Sequence, residues 1–293
     1  MSNKIHVFMP RHDTMHLHSG YQEVIETLLW GLKEIGYDVS FAVNAIHADV
    51  RNIVFCADSF SVATLKTFRS DTIIYNLEQS YPMFRRVEKP ENDFLARRRE
   101  SYAYIRKNFE VWDYSYLNIE TMLTVDSIMP VKYVPIGFAP LLQRIARPQE
   151  QDIDVLIYGM AHSYRLGVFK KLCEEMLRCM FVCGLYGPAR DELIGRSKIV
   201  LCLTDDGPES IFPIVRASYL LANSKLVIST KICPKLHLET DMMDAVKFCS
   251  TEAIHSFCHY WLSHDSERLE AENNGFNIMA RRDIRDILRT ALA

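Results

Sequence analysis

The sequence has no C-x-x-C pair, no long apolar run, no excess of one charge and no internal repeat or low-complexity tract. Each absence removes a class of protein. Eight cysteines are present, at positions 56, 173, 179, 183, 202, 233, 249 and 258, but they are scattered, which excludes the paired-thiolate spacing of structural zinc sites. Cys56, Cys183 and Cys202 lie in apolar segments, where a thiol acts as a small core residue. No stretch reaches the ~18 apolar residues that span a bilayer. The 34 basic and 37 acidic side chains leave a formal net charge of −3, so there is no basic footprint for nucleic acid. Met1–Pro10 shows neither the apolar core nor the small-residue cleavage site of a secretory signal. These absences lead to the expectation of a soluble, reduced, cytoplasmic protein that does not bind nucleic acid.

What is present is a rhythm of short apolar strands and helices. Strands are expected at Lys4–Met9, Asp38–Val43, Asn52–Cys56, Thr72–Leu77, Glu110–Ser115 and Lys132–Ile136, with an amphipathic helix VIETLLWGLKEIG closed by Gly36 and a charged helix at Asp93–Asn108. The polar, proline-containing segment Gly137–Asp152 reads as a linker. The rhythm restarts at Ile153–Tyr158 and Arg165–Met176, and further on come a strand at Ala245–Phe248 and two terminal helices, near Glu252–Leu262 and Asp283–Leu292. A length of 293 residues suits two domains of about 130 residues. The boundaries expected are 1–140, 150–275, and a terminal helix in 276–293 packing back on the first domain.

The most informative stretch is Phe181–Thr230, FVCGLYGPARDELIGRSKIVLCLTDDGPESIFPIVRASYLLANSKLVIST. A strand ends at Gly184, a Tyr186-Gly187 turn opens a short helix, and the apolar strand Ile199–Leu203 runs into the polar loop Thr204–Ser210. A helix from about Phe212 to Ala222 and the strand Leu226–Ser229 complete the unit. Apolar strands alternating with helices imply a parallel sheet covered on both faces. Ligands of such sheets sit beyond the carboxyl ends of the strands, where helix amino termini favour anions.

IFPIVRASYLLANSKLVIST, with the acid-bearing loop before it, resembles the donor-binding half of GT-B glycosyltransferases of the nucleotide-sugar-dependent family 1/4 kind. VKYVPIGF at the linker and the first strand-loop-helix fit the same outline, so the resemblance covers most of the chain. It implies an α/β protein of two Rossmann-like domains facing a cleft, in a compact version. It also implies transfer of a sugar from a nucleotide-diphosphate sugar to the hydroxyl of a glycan, lipid-linked or other acceptor. Retaining members carry two glutamates about one helix apart, the second on the ribose. Here the second aligns with Ser218 and the first falls near Ser210, beside Glu209. That departure keeps a second reading open, a non-catalytic partner that binds nucleotide sugar or glycan.

On the donor side, Arg165 and Arg216 stand near helix starts, from which a guanidinium can grip a diphosphate bidentately. Gly159 permits close approach of backbone to phosphate. Tyr186 and Gly187 either contact a base or form a plain turn. Glu209 and Ser210 either bond a ribose or sugar hydroxyl or, for Ser210, cap the helix that follows. On the acceptor side, the first loop holds His12, His16 and His18. His16 and His18 are candidates for the base that activates an acceptor hydroxyl, with Glu78 at the end of the fourth strand as their competitor. His12, Gln79 and Asn118 are candidate acceptor contacts. The His-x-His spacing raises a metal, but no third ligand is evident, so neither a metal nor a cofactor is expected. The basic and aromatic stretch Arg85–Lys107, diluted by Glu88, Glu91, Asp93 and Glu100, reads as an ordinary solvated helix, with peripheral membrane contact as the alternative.

Overall fold

A computed structural model of the chain describes residues 3–10, 17–79, 93–123, 130–203, 211–230 and 240–293. The chain divides into two compact units. Unit 1 is Met1–Pro135 with Ile284–Ala293, and unit 2 is Ile136–Asp283.

Unit 1 is built on a six-stranded sheet in the order β2-β1-β3-β4-β5-β6, formed by β1 (Lys4–Met9), β2 (Asp38–Val43), β3 (Arg51–Phe55), β4 (Ile73–Asn76), β5 (Glu110–Asp113) and β6 (Val131–Tyr133). Every pairing is parallel; Val7, for example, lies opposite Phe41 on one side and Ile53 on the other. All four residues of β4 are buried, as expected of a strand covered on both faces, whereas the edge strand β2 is largely exposed. The helices of this unit are α1 (Leu17–Gly20), α2 (Gln22–Glu34), α3 (Val62–Leu65), α4 (Asp93–Asn108) and α5 (Tyr116–Leu123). α4 lays Tyr102 and Ile105 into a core with Phe8, Val54, Leu65, Ile74 and Val111. Tyr104 packs edge-on against Phe109. These two aromatic side chains of the basic stretch therefore serve the core rather than an outer face.

A C-terminal helix, α12 (Ile284–Leu292), completes unit 1 by lying on α2. The contact depends on Gly31, where a Cβ would fall 2.8 Å from Leu288 Cδ1 and 2.9 Å from Ile284. Lys132 Nζ donates to the carbonyl of Ala291 at 2.8 Å and pins the far end of the helix to β6.

Unit 2 repeats the pattern with β7 (Ile153–Tyr158), β8 (Cys179–Val182), β9 (Ser197–Cys202), β10 (Leu226–Thr230) and β11 (Lys247–Cys249), again all parallel, in the order β11-β10-β9-β7-β8. Its helices are α6 (Ser163–Glu174), α7 (Gly187–Arg196), α8 (Ile214–Ala222), α9 (Thr240–Ala245), α10 (Ile254–Ser263) and α11 (Asp265–Ala280). The core gathers Val155, Ile157, Ile199, Leu201 and Ile228 of the sheet with Leu172, Ile254, Cys258 and Trp261 of the helices. No described helix is long and apolar enough to cross a membrane.

Three expectations are corrected. Gly137–Asp152 is not a free linker, because Ala139 and Leu142 are buried and its polar groups are spent on unit 2. The amides of Arg144 and Ile145 both donate to Asn223 Oδ1 at 2.9 Å, Arg147 pairs with Glu272 at 2.6 Å, and the Gln151 amide bonds the carbonyls of Gly195 and Ser197. The chain therefore passes between units at 135/136 and 283/284. Second, α11 has no counterpart in the sequence reading, because it buries Arg268 and Glu272 where an apolar stripe would be looked for. Third, the strand expected at Ala245–Phe248 starts at Lys247, since Ala245 ends α9.

Candidate functional site

The two sheets share a topology that selects the site. β1 is flanked by β2 and β3, and β7 by β8 and β9, so the chain winds one way from the first strand of each unit and then crosses back. Where neighbouring connections leave in opposite directions, a crevice opens at the carboxyl edge. In unit 2 that point lies between β7 and β9.

Gly159 follows β7 directly and has φ +128°, a backbone state that side chains with a Cβ rarely adopt. Its N–H bonds the carbonyl of Val182 at 3.1 Å. Arg165, in the first turn of α6, reaches back so that Nη1 donates to the carbonyl of Met160 and Nη2 to that of Leu203, each at 3.1 Å. It thereby ties the exit of β7 to the exit of β9. Arg216, in the first turn of α8, lies over the Tyr158 ring at 5.1 Å. Both guanidinium groups come to rest against the bare glycine: a Cβ on Gly159 would lie 2.7 Å from Arg216 Nη2 and 3.0 Å from Arg165 Nη1. Burial pushes the Cys202 thiol up to about 11, with the two arginines opposing it. Two cations held together at a crevice repel each other, and an anion placed between them removes the repulsion.

The other donor candidates are placed as follows. Tyr186 stands at the amino end of α7 beyond β8, exposed at its rim, and Gly187 follows with φ +63°. Ser218 is buried in α8, with Oγ donating to the carbonyl of Val215 at 3.2 Å. Glu209 and Ser210 lie outside the described residues.

Unit 1 presents acids at the equivalent edge. Glu78 sits just past β4, half-buried, and its Oε1 accepts from the Tyr21 hydroxyl at 2.7 Å. Its main chain is clamped by side-chain amides, since Asn118 Nδ2 and Asn76 Nδ2 donate to its carbonyl at 2.8 and 3.1 Å. The same two amides donate to the carboxylate of Asp113, with Asn76 at 2.6 Å and Asn118 at 3.2 Å, and the Ser115 N–H adds a bond at 2.8 Å. Asn118 is wholly buried, so it supports the Glu78 loop rather than facing a sugar hydroxyl. Burial pushes Asp113 up to about 8 against the pull of these donors. Past β3, Cys56 turns the chain at φ 50° and Asp58 is buried against Arg98 of α4, whose Nε donates at 2.7 Å. Glu78 is held above its ordinary range, first by burial and then by Asp58, while Tyr21 and Arg98 pull it down.

Gln79 is exposed beside Glu78. His12 and His16 lie outside the described residues; the backbone of His18 is in α1, and its side chain is also outside them. Among the described residues, no group of three or more His, Cys, Asp and Glu is arranged to hold a metal. Tyr21, Asp58, Arg98 and Asp113 were missed as site residues in the sequence, although Asp113 sits at the end of a visible strand. They meet only because parallel strands deliver distant positions to one edge.

No family model and no curated protein matches the sequence. Among solved structures, T4 phage BGT in complex with UDP-glucose superposes with a TM-score of 0.55 at 13% identity, covering 98% of this chain and 99% of that one. Anabaena HepE in complex with UDP gives 0.62 at 9% identity and covers 99% of each chain. Sucrose-phosphate synthase from Thermosynechococcus elongatus gives 0.65 at 10% identity, covering 98% and 97%. The likeness runs over the whole chain, and the fold is the two-sheet GT-B arrangement of these structures.

Proposed function

We propose that the chain is a glycosyltransferase that moves a sugar from a nucleotide-diphosphate sugar to an acceptor hydroxyl in glycan or glycoconjugate biosynthesis. Unit 2 takes the donor and unit 1 supplies the acceptor-side chemistry. The observation that carries the reading is the convergence of Arg165 and Arg216 on Gly159 at the β7/β9 crevice. As the sugar departs, negative charge localises on the diphosphate, and cations already in place stabilise it without reorganisation. UDP is the first nucleotide to test, because T4 phage BGT and Anabaena HepE are described in complex with UDP or UDP-glucose. In this reading the guanidinium pair stands in for a metal, although T4 phage BGT is also described with UDP and Mn2+.

One observation favours the second reading, a partner that binds nucleotide sugar without turning it over. Ser218, where the resemblance places a ribose-gripping glutamate, is small, buried and bonded within its own helix. A thermal-shift series with UDP, uridine and a panel of nucleotide sugars, followed by an assay of nucleoside diphosphate release, separates the two. Binding at a hundred times the dissociation constant stabilises by about 2.7 kcal/mol. Stabilisation with release supports the transferase, stabilisation without release under any donor supports the binding partner, and no stabilisation by any diphosphate overturns both.

A further inference from the structure

We propose that Tyr21 is a positioning residue for Glu78: its hydroxyl occupies one carboxylate oxygen, so that the other takes the proton of the acceptor hydroxyl. The inference rests on the transferase reading and assigns its proton acceptor within unit 1. In the step, the acceptor O–H gives its proton to the open Glu78 oxygen and its electron pair forms the new bond to the anomeric carbon. The bond from that carbon to the diphosphate breaks, and its electrons leave on the phosphate oxygen. Glu78 returns the proton to solvent after the product departs.

Both ends of the Tyr21–Glu78 contact are fixed. Tyr21 immediately precedes α2, and its carbonyl accepts from the Ile25 N–H at 3.0 Å. The main chain of Glu78 is clamped by Asn76 and Asn118, and a rigid phenol bridges to Oε1 at 2.7 Å. The carboxylate therefore has one defined orientation, which general-base catalysis requires before basicity matters. The ionisable groups that face the pair among the described residues are Cys56 and Asp58 past β3, Arg98 of α4 and Tyr114 past β5. Asp58 is held by Arg98, so its charge reaches Glu78 partly compensated. Burial raises Glu78 toward neutrality, and the Tyr21 hydroxyl moderates that rise.

Tyr21→Phe removes only the hydroxyl. The carboxyl of Glu78 is titrated by carbon NMR in the wild type and in Tyr21→Phe, UDP binding is measured by thermal shift, and UDP release is followed against pH over a panel of UDP-sugars. The expected result is that Glu78 titrates at higher pH in Tyr21→Phe, because a donor that favours the charged form has gone. The acid limb of UDP release then moves up with it and kcat falls, while KM and UDP binding stay within about twofold. A merely structural tyrosine would lower the melting temperature without moving the titration. Glu78→Gln, which keeps an oxygen for Tyr21, is expected to lower UDP release by about 10²–10⁴-fold while UDP still binds. An unmoved Glu78 titration, full activity in Glu78→Gln, or a product with retained anomeric configuration overturns the inference alone. A wild type that neither binds UDP nor releases it overturns the transferase reading instead, and the titration shift still reports the Tyr21 contact separately.

Discussion

At the carboxyl edge of the first sheet, Tyr21 bonds Glu78, Arg98 pairs with Asp58, and Asn76 and Asn118 hold Asp113, whereas at the same edge of the second sheet Arg165 and Arg216 lie against Gly159. The two sheets reverse at equivalent places, between β1 and β3 and between β7 and β9. Topology therefore says where a guest sits but not what it is; the side chains at the strand exits decide that. The first edge spends its charges internally, on an ion pair and on amides that hold a loop. The second brings two like charges against one glycine, where Arg165 also ties the exits of β7 and β9 through the carbonyls of Met160 and Leu203.

The largest loss expected from breaking a single contact in this contrast is at Asp58. Asp58→Asn leaves Arg98, about a quarter exposed, facing a neutral partner, and breaking such a pair is expected to cost about 3 kcal/mol. Urea unfolding should show that loss while UDP binding of the folded protein is unchanged. A loss below about 0.5 kcal/mol would mean that the acidic edge is no more internally committed than the basic one. Next come Arg165→Ala and Arg216→Ala, where the pattern should invert. Each is expected to weaken UDP binding by about 1.5–3 kcal/mol, the scale of one charge-assisted hydrogen bond, with uridine binding nearly unaffected. Equal losses for UDP and uridine in a titration series would make these arginines structural and erase the comparison.

At Asp113 the expected effect is a dependence of stability on pH. Its carboxyl keeps a proton up to about pH 8 in the folded chain but releases it near its ordinary value of 3.8 when unfolded. The folded state thus binds more protons between these limits, and stability falls as pH rises from about 4 to about 8. Asp113→Asn should remove that decline, so stability measured against pH should diverge between the two proteins toward alkaline pH. Parallel curves would show that the three N–H donors outweigh burial. The smallest expected effect is none at all: UDP release should survive excess chelator if, as proposed, Arg165 and Arg216 carry the diphosphate charge. Loss of release that Mn2+ restores would shift that task to a metal.

Much of the fold was legible because its strands are short and apolar and its helices are closed by recognisable signals, as at Ile153–Tyr158 or the helix before Gly36. Arg165, Arg216 and Gly159 could be picked out because each stands at a strand exit or helix start, a local property. Segments that bury charge were not legible. α11 hides Arg268 and Glu272, and residues 137–152 look like a solvated linker until Asn223, Tyr219 and Glu272 are seen to receive their donors. Tyr21 and Asp58 carried no sign either, because their partners lie 57 and 40 positions away.

By itself, then, the sequence determined the alternation of strands and helices, the two-unit plan and the residues at the strand exits, since hydrophobic periodicity and turn chemistry act between near neighbours. Tertiary structure alone decided that two arginines from different helices meet over one glycine, that a tyrosine reaches Glu78, and that Asn118 holds a loop instead of facing outward. Those are contacts between parts of the chain that only the parallel sheets bring to a common edge. Their energies depend on burial and distance, neither of which is written in the order of residues.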